Sequence, residues 1–223
     1  MSKKLRVDIW SDIACPWCYI GKRKFEAGLA EFAGRDDVEV EYHSFELAPD
    51  TPVDFAGSEL DFLAKHKGMP KAQVEQMLDQ VTQVAATVGL DYQFGQLQHT
   101  KTLKAHELLH FAKSQGLQIQ MKERLLKAYF TEGQHVGKID SLVALATEVG
   151  LDGAAAREAL ESDSFVQDVA ADIAQAQAFG INGVPFFVLD NKYGISGAQD
   201  PRAFTQALTQ AYAELGEPVG QES

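Results

Sequence analysis

The chain holds only two cysteines in 223 residues, and they stand three apart in Cys15-Pro16-Trp17-Cys18. Any sulfur chemistry is therefore confined to one place. Such a pair can serve as a redox dithiol, a structural staple or half of a metal site. A disulfide closing so short a loop removes little chain entropy, and a thiol-rich zinc site commonly takes a second pair, which is absent. The pattern points to thiol–disulfide exchange, in which a thiolate attacks a disulfide and a neighbouring thiol resolves the mixed disulfide.

That chemistry needs an activated first sulfur with the second within reach. Pro16 suits the first position of a helix, because its φ is preset and its missing N–H would be unpaired there. Cys15 is then the N-cap, facing the N–H groups of Trp17 and Cys18 and the positive end of the helix dipole, so its pKa is expected to fall. Cys18 lies on the same side of the first turn. Cys15 is the expected nucleophile and Cys18 the resolving thiol.

The positioning elements follow from periodicity. Leu5 to Trp10 alternates as a strand, and Ser11 to Ala14 is the turn that delivers Cys15. Ile20, Phe25, Leu29 and Phe32 then form a helical apolar stripe that stops near Gly34. Val38 to Phe45 alternates again, completing the strand–helix–strand unit of a parallel pair. A loop, Leu47 to Gly57, separates this unit from a region of helices alone. These are expected at Glu59 to His66 behind Ser58, Pro70 to Val88, Leu103 to Lys113 and Gln118 to Glu132. Three more open at Asp140, Asp152 and Ser164, the last ending at Phe179-Gly180. Val-Gly-Leu-Asp recurs at 88–91 and 149–152. It reads as two glycine helix stops, each followed by an apolar residue that folds back, rather than as a repeat. Strands return at Val184 to Leu189 and Lys192 to Ser196 around Asp190-Asn191, an antiparallel hairpin. Asp200-Pro201 opens a last amphipathic helix that ends at Gly216, with a polar tail from Glu217.

Length and apolar content suit one large domain or a small one carrying an insertion. The formal charge of −12 argues against a general nucleic-acid or anionic-membrane binder. No stretch approaches the roughly 20 apolar residues that span a bilayer. The basic start, Met1 to Arg6, runs into Asp8 and Asp12 rather than an apolar segment, so no export signal is read and a cytoplasmic protein is expected. In that compartment a Cys-x-x-Cys pair is catalytic more often than structural.

Four segments carry a resemblance to a known family: Asp12 with Cys15 to Gly21, Phe45-Glu46-Leu47, Gly183-Val184-Pro185-Phe186-Phe187, and Gly194-Ile195-Ser196-Gly197-Ala198-Gln199. Together with the element order they resemble the DsbA-like branch of the thioredoxin superfamily, and more narrowly its FrnE-type members. The resemblance spans nearly the whole chain. It implies an α/β thioredoxin-like fold with a large α-helical insertion, residues 1–57 and 180–223 forming the thioredoxin-like part and 58–179 the inserted helical domain. It also implies a cis peptide at Val184-Pro185 beside the cysteines, where the backbone of Val184 can pair with an extended substrate. Cys15 and Cys18 are then catalytic, with Pro16, Trp17, Asp12, Val184 and Pro185 in support. Ser196, Gly197 and Gln199 are candidate contacts for substrate or glutathione. Partners would be protein or small-molecule thiols and disulfides. No resident cofactor or metal is implied, glutathione is a candidate co-substrate, and a homodimer is a candidate assembly.

Competing signals stand beside this resemblance. A glutathione-dependent isomerase or transferase of the 2-hydroxychromene-2-carboxylate isomerase or kappa type shares the fold, but those relatives typically carry serine at the position of Cys15. A non-catalytic binding module would need an apolar groove in the helical region. His106-Glu107-Leu108-Leu109-His110 matches HExxH literally, the pattern of a zinc hydrolase, without the downstream third ligand of the better-defined zinc peptidases. Lys22, Arg23 and Lys24 read as a solvated helix face. Asp12 reads as a turn former or a proton relay. His43, His66, His99 and His135 show no grouping.

Overall fold

A computed structural model describes residues 4–215. Four strands make one sheet in the order β2-β1-β3-β4: β1 Leu5–Ser11, β2 Val38–Ser44, β3 Phe186–Leu189 and β4 Tyr193–Ser196. β1 and β2 run parallel with Ile9 opposite Tyr42, while β3 is antiparallel to both β1 and β4. The β3–β4 turn falls at Asp190 and Asn191, both with positive φ, as a tight hairpin requires.

Helix α1, Pro16–Ala30, joins β1 to β2 and packs with α9, Pro201–Ala213, on one face of the sheet. Leu5, Val7 and Ile9 point into that layer and meet Phe25, Phe187 and Phe204. The packing demands a close approach: a methyl group at Gly28 would lie 2.4 Å from the Pro201 carbonyl oxygen, and Thr205 donates to the Gly28 carbonyl at 2.8 Å.

Between β2 and β3 come seven helices: α2 Glu59–Lys67, α3 Lys71–Ala86, α4 Leu103–Ser114, α5 Gln118–Phe130, α6 Ile139–Glu148, α7 Gly153–Glu161 and α8 Val166–Ala178. The apolar stripes of α3 to α7 form one large cluster that also takes in Ile13, Tyr19 and Ile20, so the outer side of the β1–α1 unit shares its core with the helical region. On the sheet's second face Trp10 packs with Ala176, Ile181 and Val188, and its Nε1 donates to the Asp172 carbonyl at 3.0 Å.

Both Val-Gly-Leu-Asp segments are helix stops: Gly89 and Gly150 have positive φ, and Leu90 and Leu151 donate back to the Ala85 and Ala146 carbonyls at 3.0 Å. Two expected caps are displaced. Asp140 lies inside the first turn of α6 and pairs with Arg157 at 2.6 Å, and Ser164 bonds Ser162 while Phe165 occupies the cap of α8. Each side chain bonds another side chain rather than a free backbone N–H. Among the described residues no helix is long and apolar enough to cross a membrane. The expected stop at Gly216 and the tail beyond it lie outside the described residues.

Candidate active site

β1 ends at Ser11, and the chain turns through Asp12, Ile13 and Ala14 into α1. Asp12 makes that turn. One carboxylate oxygen accepts from the Ile13 N–H at 2.7 Å and from His106 Nε2 at 3.1 Å, and the other accepts from the Leu47 N–H at 2.8 Å. It is buried, and His106 leads the partners that overcome burial and hold its pKa below the usual value. Asp12 therefore pins the motif turn to α4 and to the loop after β2. Its hydrogen bonds describe a turn organiser.

Cys15 sits at the N-cap of α1 with Pro16 at the first helical position, as the sequence predicts, but its side chain makes no cap hydrogen bond. Its sulfur instead lies 3.5 Å from the carbonyl oxygen of Val184, where it can donate. The Val184-Pro185 peptide is cis. Gly21 permits this contact between segments, since a methyl group there would meet Pro185 Cγ at 2.8 Å. Tyr92 braces the first turn from the helical region, donating to the Pro16 carbonyl at 2.7 Å.

Both cysteines are reduced and only 3 % exposed. The expected solvent-facing Cys15 anion is not what this arrangement gives. The hydrogen bond to Cys18 pushes the Cys15 thiol up, and burial and the negative charges of Cys18 and Asp12 push it further. Burial also pushes Cys18 up, but the bond from Cys15, the Lys122 cation, the Ser11 hydroxyl and the Asp12 backbone outweigh it and leave it lowered. Of the two thiols, Cys18 is therefore the one that gives up its proton more readily, and Cys15 the one that holds it.

Lys122 is the residue the sequence reading missed. It is fully buried on α5, its ammonium has no hydrogen-bond partner among the described residues, and it lies 5.5 Å from the centre of the Tyr42 ring. Burial lowers its pKa to about 8, against the pull of Cys18, Asp12 and Cys15. A signal was present: Lys122 falls on the stripe of Gln118, Met121, Leu125 and Tyr129, the buried side of α5.

Lys22, Arg23 and Lys24 are not a solvated face. Lys22 is buried and pairs with Glu26 at 2.5 Å and Glu123 at 2.6 Å, Arg23 joins Glu123, and Lys24 donates to the Ala198 carbonyl at 3.1 Å. They fasten α1 to α5 and to the loop before α9.

A cavity of about 270 Å³ opens beside the motif. Cys15, Pro16, Trp17 and Val184 line one side, and Phe62 of α2 and Val81 of α3 line the other. Trp17 is 40 % exposed at its edge. Ser196, Gly197 and Gln199 do not line it. Gly197 N–H donates to the Pro185 carbonyl at 2.8 Å and the Gln199 amide to the Ser196 carbonyl at 2.7 Å, so this loop supports Pro185 from behind.

The HExxH residues separate. His106 Nε2 bonds Asp12, Glu107 pairs with Lys104 at 2.8 Å, and His110 Nε2 bonds Asp172 at 3.0 Å. His43, unassigned from sequence, joins that second network. Its ring nitrogens lie 2.8 Å from Asp172 and 2.7 Å from Asp8, and these carboxylates raise its pKa to about 9 despite burial. Asp8, Glu41 and His43 have potential ligand atoms within 4.8 Å of one another. Arg6 and Lys113 occupy the two carboxylates, and His43 is held as a cation, so the trio is an ion network. His99 is buried too, its Nδ1 2.7 Å from Glu59.

A mixed four-stranded sheet, a Cys-x-x-Cys pair at the head of its first helix and helices inserted before the closing hairpin define a thioredoxin-like fold of the dithiol type. The model of the DSBA-like thioredoxin domain matches residues 6–209, and the chain belongs to that family. It is 32 % identical over 217 residues to the uncharacterised protein YwbO of Bacillus subtilis, covering 92 % of this chain and 96 % of that one. The structure of a probable DsbA oxidoreductase from Streptomyces coelicolor superposes with a TM-score of 0.89 at 41 % identity, over 98 % of this chain and 93 % of the other. A 2-hydroxychromene-2-carboxylate isomerase structure shares the fold, with a TM-score of 0.70 at 17 % identity over 93 % and 95 % of the two chains.

Proposed function

We propose that the protein is a thiol–disulfide oxidoreductase that works through the Cys15–Cys18 dithiol. One observation carries the reading: the sulfur that lines the cavity, Cys15, is hydrogen-bonded to a second thiol whose anion the protein favours. Loss of the Cys15 proton places the charge on the sulfur that faces the substrate. Cys15 attacks one sulfur of a disulfide, forming a mixed disulfide and releasing a thiolate. The thiolate released first takes the Cys18 proton, and Cys18, then an anion beside Lys122, attacks the Cys15 sulfur, forms the Cys15–Cys18 disulfide and releases the second thiolate. Two electrons pass from the dithiol to the substrate, and the reverse sequence oxidises a dithiol.

Family membership and the Streptomyces relative support an oxidoreductase of this class. Partners on this reading are thiols and disulfides of proteins or small molecules, exchanged without a resident cofactor in a cytoplasmic setting. Insulin reduction with dithiothreitol, run for the parent and for Cys15→Ser, tests it. The expected result is loss of catalysed reduction in the variant, and equal rates would remove the proposal.

A further inference from the structure

We infer that the molecule which meets Cys15 inside the cavity is a compact, uncharged, ring-bearing disulfide or thiol, and not glutathione. This rests on the exchange chemistry proposed above and adds the class of substrate that the site admits.

The argument begins with access. Cys15 is 3 % exposed, and the cavity it lines is roofed by α2 and α3. The roof is fastened down: Ser58 and Asp61 form a capping box at the start of α2, Glu59 accepts from His99 Nδ1 at 2.7 Å, and Phe62 stacks on the His99 ring with centroids 3.4 Å apart. The space of about 270 Å³ lies near the lower end of small-molecule sites, which begin at roughly 300 Å³. That suits a compact group carrying one or two rings.

The wall chemistry selects within that size. Trp17, Phe62, Leu78, Val81, Phe94 and Val184 give it an apolar and aromatic surface. Its two carboxylates are already committed, Asp12 to His106 and backbone N–H groups and Glu59 to His99. The one lysine at the wall, Lys67, is exposed at the end of α2. Buried Thr51 Oγ1 and His99 Nε2 on this wall lack a partner among the described residues, which leaves two hydrogen-bonding atoms for a ligand, fewer than the two carboxylates and the ammonium of glutathione require. A ring gains instead: full burial of a Phe-sized group is worth about a tenfold to hundredfold preference.

In the exchange, the Cys15 thiolate attacks one sulfur of an aromatic disulfide and releases one aromatic thiolate, which takes up the Cys18 proton. Cys18 then forms the internal disulfide and releases the second, so the dithiol is oxidised and two thiols are produced.

The test uses reduced protein with 4,4′-dithiodipyridine and with oxidised glutathione as probes. Each rate of dithiol oxidation is divided by that of dithiothreitol with the same probe, which removes the probe's intrinsic reactivity. The normalised ratio, aromatic over glutathione, is expected to be tenfold or more for the parent. It should fall about tenfold in Met77→Trp, which fills the cavity, and in Phe62→Ala, which strips a ring from its wall. The two changes are opposite in volume, so misfolding of one leaves the other to decide. A parent ratio near one, or a ratio unchanged in the folded variants, overturns the inference. A Cys15→Ser protein that reacts as fast as the parent would instead remove the exchange reading beneath it.

Discussion

Lys122→Met keeps the length and apolar stem of the side chain and removes its charge. Burial holds the ammonium down to about 8, against an ordinary 10.5, so keeping it charged costs the folded protein about 3 kcal/mol at neutral pH. The folded-state value is the lower one, so this cost is full below pH 8 and vanishes above about 10.5. Unfolding by urea should show the variant more stable than the parent by up to about 3 kcal/mol at pH 7, with the gap closing towards pH 10. The effect on chemistry runs the other way. Cys18 loses its nearby cation, and an opposite charge at close range is worth about one to three pKa units. In a Cys15→Ser background, the pH profile of Cys18 alkylation by iodoacetamide should therefore move up by at least about one unit when Lys122→Met is added. A structural role alone would leave that profile in place. An unmoved profile refutes Lys122 as the counter-ion of Cys18, and a less stable variant at pH 7 refutes the account of an uncompensated buried cation.

Other outcomes follow from the same geometry. His43 is a cation held between Asp8 and Asp172, with its pKa raised to about 9 from an ordinary 6.5, so it contributes about 3 kcal/mol that is full below pH 6.5. Stability should fall as pH rises through 9, and His43→Gln should flatten that part of the urea-unfolding profile. Gly21→Ala puts a methyl group 2.8 Å from Pro185 Cγ and should lower stability by about 1–3 kcal/mol, read as a drop in melting temperature. An unchanged melting temperature would show that Pro185 moves aside freely.

Much of the frame was legible because it rests on local rules. The hairpin turn at Asp190-Asn191, the glycine stops and the Asp152 and Asp200 caps each depend on a few adjacent residues, and each lies where the sequence puts it. Asp140 and Ser164 depart from the expected caps because the same side chains that cap helices also bond distant or neighbouring groups, and periodicity carries no information on which partner wins.

The site was half legible. Residue types and spacing identified Cys15 and Cys18 and placed Pro16 at the helix start. The charge distribution did not follow, because it is set by groups far away in sequence: Asp12 reaches His106 and Leu47, and Lys122 comes from α5. A cap position favours an anion only when the sulfur turns onto the free N–H groups, and Cys15 turns towards Val184 instead. The scattered histidines were opaque for the same reason. His43, His99, His106 and His110 each find a carboxylate across the fold, a pairing that no sequence interval announces.

The central claim is that Cys15 meets the partner and Cys18 releases it. Intact-mass analysis after exposure to a disulfide tests this most directly, with Cys18→Ser and Cys15→Ser compared at equal concentration. The account predicts one stable adduct on Cys15 in Cys18→Ser and almost none in Cys15→Ser. An adduct that accumulates on Cys18 while Cys15 stays unmodified would contradict it.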